Sequence, residues 1–309
     1  MPIQISDNAV SQLLAADVRR VKVDTVSSKL TYVGTSSVDA ASTADPVWRI
    51  RRETVNGPET DVRWANGGAA DQVWDDRASL FPPATFDNEY SGQFDGINDS
   101  VNFGNNLAYG TGSQWSWGFW VKGNNFAAVR AIFAKMTSDA NSYGHRVVVM
   151  TTGQLRVQLR GPGGLATVDS VSTLTASTWQ HVMVTYSGSG NISGLKMYIN
   201  AVVDTATPSG VIGDMTNASS AYVGISNTSW PWSGMIDEAT FWNKQLSLAE
   251  VQELYNGGVV LNANLHSAVA NLEHYYRMGD GDTTPTVMDN AGAVNGTLTN
   301  GAAFVADTP

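Results

Sequence analysis

The chain has no cysteine in its 309 residues, which excludes disulfides and thiolate-held metals. Charge is scarce: Asp, Glu, Lys and Arg together make 15%, and 18 basic against 28 acidic residues leave a net charge of −10. Binding to nucleic acid needs clustered Lys and Arg to neutralise phosphates, so nucleic acid is not an expected partner. No apolar run approaches the ~18 residues of a membrane-spanning helix, and no membrane association is expected. The first residues, Met1 to Asp7, carry neither the basic region nor the apolar core of a secretory signal. The expectation is a protein assembled in the cytoplasm in which it is made.

What is present points to β-structure. Hydrophobic residues make 42%, with 30 Gly and 10 Trp, a turn-rich composition that is too aromatic for disorder. Alternation of period two recurs along the chain. Early runs are Val21–Thr25, Lys29–Val33, Val47–Arg52 and Thr60–Trp64. Later ones centre on Trp117/Phe119/Val121, Leu155/Val157/Leu159, Val182/Val184/Tyr186, Leu195/Met197/Ile199 and Ala221/Val223/Ile225. Within residues 1–20, Val10, Leu13, Leu14 and Val18 after a capping Asp7 read as a short helix, with an arm as the alternative, and Asp71 to Leu80 read as a turn and short helix. Pro82-Pro83 marks a boundary, so the chain divides at 1–84 and 86–309. From Met235 the pattern sets Met235, Asp237, Ala239 and Phe241 on one face, with Ile236, Glu238, Thr240 and Trp242 on the other. Ser247 with Glu250 has capping-box spacing, Leu248, Val251, Leu254 and Tyr255 follow at helical spacing, and Gly257-Gly258 supply the stop.

Three stretches resemble one family in the right order. They are F-D-G-I-N-D-S-V at 94–101, W-Q-H-V at 179–182 followed by L-K-M-Y-I-N at 195–200, and G-M-I-D-E-A through L-Y-N-G at 234–257. They resemble the LamG-like, concanavalin A-like lectin/glucanase sandwich. The fold this implies is all-β: a small N-terminal β-domain, then a jelly-roll sandwich with one short helix. The segment with Trp48, Ile50, Arg52, Trp64, Gly67, Trp74, Asp75, Arg77 and Leu80 resembles N-terminal modules of tailed-phage structural proteins, and the tail from Leu272 resembles the C-termini of phage LamG-like proteins. The resemblance implies a virion protein with other virion proteins (capsid, tail or fibre) as partners. A homo-oligomer is compatible with this, although no heptad seam is visible.

Glucanases of this fold place two carboxylates on one strand face as E-x-D-x-x-E, and that pattern is absent. Asp237 and Glu238 are adjacent and are expected on opposite faces. His145, His181, His266 and His274 accompany no nucleophile motif, so no catalytic residues are expected. The family resemblance points to calcium at Asp95, Asn98, Asp99 and Asp237, oxygen ligands that suit a hard cation. The competing reading makes Asp95-Gly96 and Asn98-Asp99 turn formers. Asp280, Asp282 and Asp289 form a weaker acidic group. For a host-surface glycan, Trp230 is the exposed ring, with Tyr143 and His145 along the same rim and Trp232 in the core; the alternative is that Trp230 only covers a sheet edge. Arg49, Arg51, Arg52 and Arg63 are the expected particle-attachment residues, against the reading that they merely balance an acidic surface. The function expected is a non-enzymatic virion structural protein displaying a carbohydrate-binding rim. Decoration without a ligand is the alternative, and a carbohydrate-active enzyme is disfavoured.

Overall fold

Short alternating runs separated by Gly, Asn and Ser turns can bury their apolar faces only by pairing into sheets and stacking them, and the computed structural model takes that form. It describes strands within residues 20–64, and residues 87–309 except 111, 137–142, 163 and 206–211. The chain divides into two units, Met1–Phe86 and Asp87–Pro309.

In the first unit β1 (Arg20–Ser27), β2 (Leu30–Ser36), β3 (Arg49–Asn56) and β4 (Glu59–Trp64) form an antiparallel meander. Its register sets Arg52 opposite Arg63 and Arg51 opposite Trp64. The expected helices at 7–18 and 71–80, and Trp48, Gly67, Trp74, Asp75, Arg77 and Leu80, lie outside the described residues.

The second unit is a two-sheet sandwich. Its strands are β5 (Ser91–Asp95), β6 (Ser100–Asn102), β7 (Trp115–Gly123), β8 (Arg130–Met136), β9 (Gly144–Val149), β10 (Gln154–Gly161), β11 (Gly164–Thr173), β12 (Gln180–Tyr186), β13 (Leu195–Ile199), β14 (Val202–Val203), β15 (Tyr222–Val223), β16 (Ser233–Trp242), β17 (Leu272–Tyr276), β18 (Thr286–Val287), β19 (Gly296–Thr299) and β20 (Ala303–Val305). One sheet runs β14-β13-β12-β7-β16-β5-β20, with β17 also on β16; the other runs β11-β10-β9-β8-β15-β6-β19-β18. All the strand pairings are antiparallel. The first and last strands of the unit are neighbours: Phe304 pairs with Gly92, and Ser91 Oγ donates to the Asp307 carbonyl at 2.6 Å.

The core between the sheets is aromatic. Trp115 and Trp117, two apart on β7, stack with ring centroids 3.8 Å apart, and Phe133 from the opposite sheet packs on Trp117 at 5.3 Å and on Phe241 at 5.0 Å. Trp232 is fully buried, as its position before the strand suggested. The helix α1 (Leu248–Tyr255) starts after Ser247: Glu250 N–H donates to Ser247 Oγ, and Ser247 N–H to Glu250 Oε2. Its stop begins one residue earlier than expected, with Asn256 in the left-handed region ahead of the glycines.

Strand β16 departs from simple alternation. Asp237 faces Trp120 and Thr240 faces Gly118, so two residues, Glu238 and Ala239, oppose the single Phe119. Glu238 takes φ +49, the conformation that opens a β-bulge. The bulge reverses parity. Ile236, Ala239 and Phe241 enter the core, and Met235 does not. The expected face shared by Met235, Asp237 and Ala239 is therefore broken. The physical reason is a change of partner: β16 pairs with β5 up to Ile236 and with β17 from Ala239 on.

Candidate functional site

The two outer faces of the sandwich differ. On the β7–β16 sheet the helix covers the surface: Tyr255 stacks on Trp120 at 5.7 Å and neighbours His181, and His266 packs on Trp242. No α-helix among the described residues lies on the other sheet. Alternation there sends Val147, Val157, Val223, Val101 and Leu298 inward and the intervening residues outward. The registers align those residues into one row crossing all eight strands: Thr167, Gln158, Arg146, Ala134, Tyr222, Asn102, Thr297 and Thr286.

Beside this row runs the loop after β15. Ser226 and Ser229 bond each other's backbone at 2.9 Å, closing a tight turn. Trp230 follows at φ +60, and its carbonyl accepts the Ala131 N–H at 2.8 Å. These contacts bring the half-buried Trp230 ring over the row, where the Arg146 guanidinium lies 4.1 Å from its centroid. Arg146 Nε donates to Gln158 Oε1 at 2.6 Å. Burial, and then the nearby charge of Arg160, pull the Arg146 pKa down to about 10. Gly144 opens β9 at φ +138; a side chain there would meet the Lys135 carbonyl at 1.9 Å, so the close β8–β9 approach that places Arg146 requires glycine.

Two strands along the row from Arg146, roughly 10 Å, Tyr222 lines a cleft of about 420 Å³ with Asn98, Ser100, Asn102, Ile225, Asn227, Thr228, Thr299 and Asn300. Its walls are amides and hydroxyls around one phenol ring and the Ile225 side chain. Part of this polar set is already engaged: Ser100 Oγ and Thr299 Oγ1 lie 2.7 Å apart, and Asn102 Oδ1 accepts the Gly104 N–H. Aromatic rings beside an array of donors and acceptors offer stacking for C–H faces and hydrogen bonds for hydroxyls. The volume falls in the usual range for ligand sites.

The expected site residues are distributed as follows. Trp230 lies on this face and Asn98 lines the cleft. Tyr143 is exposed, with its carbonyl held by Asn217 Nδ2 at 2.9 Å, three residues before Arg146. His145 is a correction. It is 1% exposed, on the inward side of β9, with its ring 4.7 Å from Trp117 and 5.5 Å from Phe133. Burial drives its pKa to about 3, so it is a neutral core residue and not part of a rim. Arg146, Tyr222 and Asn102 were not singled out from the sequence. The alternation of H-R-V-V-V, A-Y-V-G-I and V-N-F carried the signal that they point outward.

As one calcium site, Asp95, Asn98, Asp99 and Asp237 do not fit. Asp95 pairs with Ser233, which leaves Asp237 four residues, or roughly 13 Å, further along β16. Among the described residues no three His, Cys, Asp or Glu are grouped to hold a metal. Asp99 Oδ2 accepts the Asp95 N–H at 2.9 Å and Asp95 Oδ1 accepts the Ile97 N–H at 2.7 Å, the bonds of a turn former. Asp99→Ala should cost about 1–2 kcal/mol, and thermal melts should show the same loss with EDTA and with millimolar calcium. A loss confined to the calcium sample would restore the metal reading.

Asp237 is answered from within the chain, by Asn88 Nδ2 at 2.9 Å and the Glu238 N–H at 2.8 Å. The bulge also corrects its relation to Glu238. Tyr275 sits opposite Thr240 on the helix-covered side and donates to Glu238 Oε2, so both carboxylates turn to the same side of the sheet. They are buried, at 0% and 4% exposure, with Arg277 3.6 Å from Glu238. Burial pushes Glu238 up to about 8, against the pull of Arg277 and Tyr275. Burial, then the charge of Glu238, raise Asp237. Asp280 ties the tail to the start of the unit by accepting the Glu89 N–H, while Asp282 and Asp289 hold the tail itself: Asp282 accepts the N–H groups of Gly279 and Met288, and Asp289 those of Tyr275, Gly292 and Val294 as well as meeting His274 Nδ1.

Comparison with known proteins shows the fold and the family of the chain. Among solved structures the fold is similar to a putative carbohydrate binding protein from Bacteroides ovatus ATCC 8483, at 16% identity over 98% of this chain and 85% of that one, TM-score 0.52. Others are a native heptameric SAP-like pentraxin from Limulus polyphemus (13%, 68% and 95%, TM-score 0.44) and the Ruminococcus gnavus IT-sialidase CBM40 (14%, 55% and 99%, TM-score 0.41). No curated protein sequence matches the chain. A family model for the concanavalin A-like lectin/glucanases superfamily matches residues 95–252, just over half of the chain. The protein therefore belongs to the concanavalin A-like lectin/glucanases superfamily.

Proposed function

We propose that residues 87–309 are a non-catalytic saccharide-binding module whose site is the open face between Trp230 and the Tyr222 cleft. One observation carries this reading: the left-handed Trp230 lays its ring over a polar row that leads into a cleft of amides and hydroxyls. The name of the Bacteroides ovatus protein accords with it. A glycosidase is disfavoured because the adjacent carboxylates Asp237 and Glu238 are buried beneath the helix-covered side, where no sugar can lie between them. On a glycan array the protein should retain oligosaccharides. Trp230→Ala should weaken that binding about 10-fold or more, the scale of a lost stacking platform, with the melting temperature within a few degrees of the parent. Binding that survives both Trp230→Ala and Tyr222→Ala would place the site elsewhere.

We propose further that residues 1–84 attach the protein to a virus particle, with Arg49, Arg51, Arg52 and Arg63 as contacts. The sequence resemblance of residues 45–80 supports this. A chain of residues 86–309 should fold but fail to join particles, and the 1–84 segment should compete for the particle site. Incorporation of the shortened chain at normal copy number would place the anchor elsewhere.

A further inference from the structure

We propose that the saccharide taken by this face is acidic, and that its carboxylate is received by Arg146. The inference rests on the saccharide-binding reading and adds the substrate class to it. Several cations of the sandwich have carboxylate partners. Arg156 makes a two-pronged bond to Asp169 at 2.6 and 2.7 Å, Lys122 meets Asp307, and Lys244 meets Glu250. Among the described residues no carboxylate pairs with Arg146, nor with Arg130, Lys135, Arg160 or Lys196; what sets Arg146 apart is the Trp230 ring over its guanidinium together with the Gln158 bond to its Nε.

Its surroundings are those of a prepared anion receptor. Gln158 fixes Nε, and the Trp230 ring covers one face of the guanidinium. Nη1 and Nη2 then remain as the parallel donor pair that matches a carboxylate's two oxygens. The group is half-buried, so water supports its charge only in part, and Arg160 adds repulsion. An incoming anion relieves both costs. The Tyr222 cleft, roughly 10 Å away across two strands, is one to two sugar rings distant. An acidic residue at Arg146 and a neutral neighbour in the cleft fit one oligosaccharide.

The test uses the full-length protein and an array holding uronate-, sialate- and sulfate-bearing oligosaccharides beside their methyl esters or unsulfated parents. A carboxylated sugar should bind at least about 10-fold tighter than its methyl ester, which is the scale of a desolvated charged hydrogen bond. Arg146→Gln should erase that preference, so that acid and ester bind the variant equally whatever its overall affinity, and Arg146→Lys should restore only part of it. Equal binding of acid and ester, or a preference that persists in Arg146→Gln, overturns the proposal while the saccharide-binding reading stands. Preference for sulfate alone overturns the carboxylate assignment. Absence of any glycan binding overturns both readings. Gln158→Ala, which frees the guanidinium to rotate, should narrow the ratio of acid to ester affinity, giving a second readout if Arg146 variants fold poorly.

Discussion

Glu238→Gln is expected to gain stability over the parent as pH rises. Glu238 is an acid held at about 8 in the fold by burial, against 4.5 for a free carboxyl. Between those two values the unfolded chain releases its proton and the folded chain keeps it. The stabilisation of the parent is thus fully present below about pH 4.5 and is lost as pH climbs to 8. The slope is about 1.4 kcal/mol per pH unit for one proton. Glutamine does not titrate, so the gap between variant and parent should widen by roughly 3 kcal/mol from pH 5 to pH 8. For a domain of this size that is about 6–12 °C in melting temperature. Loss of the Arg277 contact offsets the whole curve without tilting it, so the tilt is the readout. A gap that stays constant with pH would mean that Glu238 is ionised in the fold and paired with Arg277.

The second large effect has the opposite sign. His145 and His181 are bases held at about 3 by burial, against 6.5 when free. Their stabilisation is complete above pH 6.5 and is lost as pH falls towards 3, because the unfolded chain then takes up protons the core refuses. At about 1.4 kcal/mol per unit for each histidine, the pair can remove most of the 5–15 kcal/mol that holds a typical domain together. The raised carboxyls, Glu238, Asp237 and Asp282, work against this loss in the same range. His145→Met keeps an apolar side chain of similar size among Trp117, Tyr109 and Phe133. It should match the parent within about 1.5 kcal/mol at pH 7.5 and exceed it by about 2–3 kcal/mol at pH 4. Acid titration followed by tryptophan fluorescence should show the unfolding midpoint of the variant at lower pH. Coincident midpoints would show that His145 accepts a proton without leaving the core.

These residues also mark what the sequence could and could not convey. The helix start was legible because a capping box is local: Ser247 and Glu250 need only each other. Trp232 and the β7 and β10 alternations were legible for the same reason. The bulge at Glu238 was not, because it arises where β16 exchanges β5 for β17, strands that lie about 140 residues before it and about 35 after it along the chain. The misplacement of His145 has a different origin. A polar residue after Gly144 in a Gly/Asn/Ser-rich stretch reads as loop, yet Val147 and Val149 share its parity and lie in the core. Counting that run as a strand would have turned His145 inward and Arg146 outward. The union of Arg146, Gln158 and Trp230 depends on the register of β9 with β10 and on the loop after β15, which no single run contains.

The pairing of β5 with β20 has a kinetic consequence. Ser91 and Asp307 are bonded across 216 residues of chain, where β5 meets β20 in the sheet that β7 and β16 centre. During synthesis β5 emerges early and waits with one edge unpaired until β20 leaves the ribosome. A seam of such high contact order slows folding, and an exposed strand edge invites pairing with another chain in the meantime. Nascent chains stalled before residue 300 should therefore be protease-sensitive and prone to aggregate, and the sandwich should lock shut only once Ala303–Val305 have emerged.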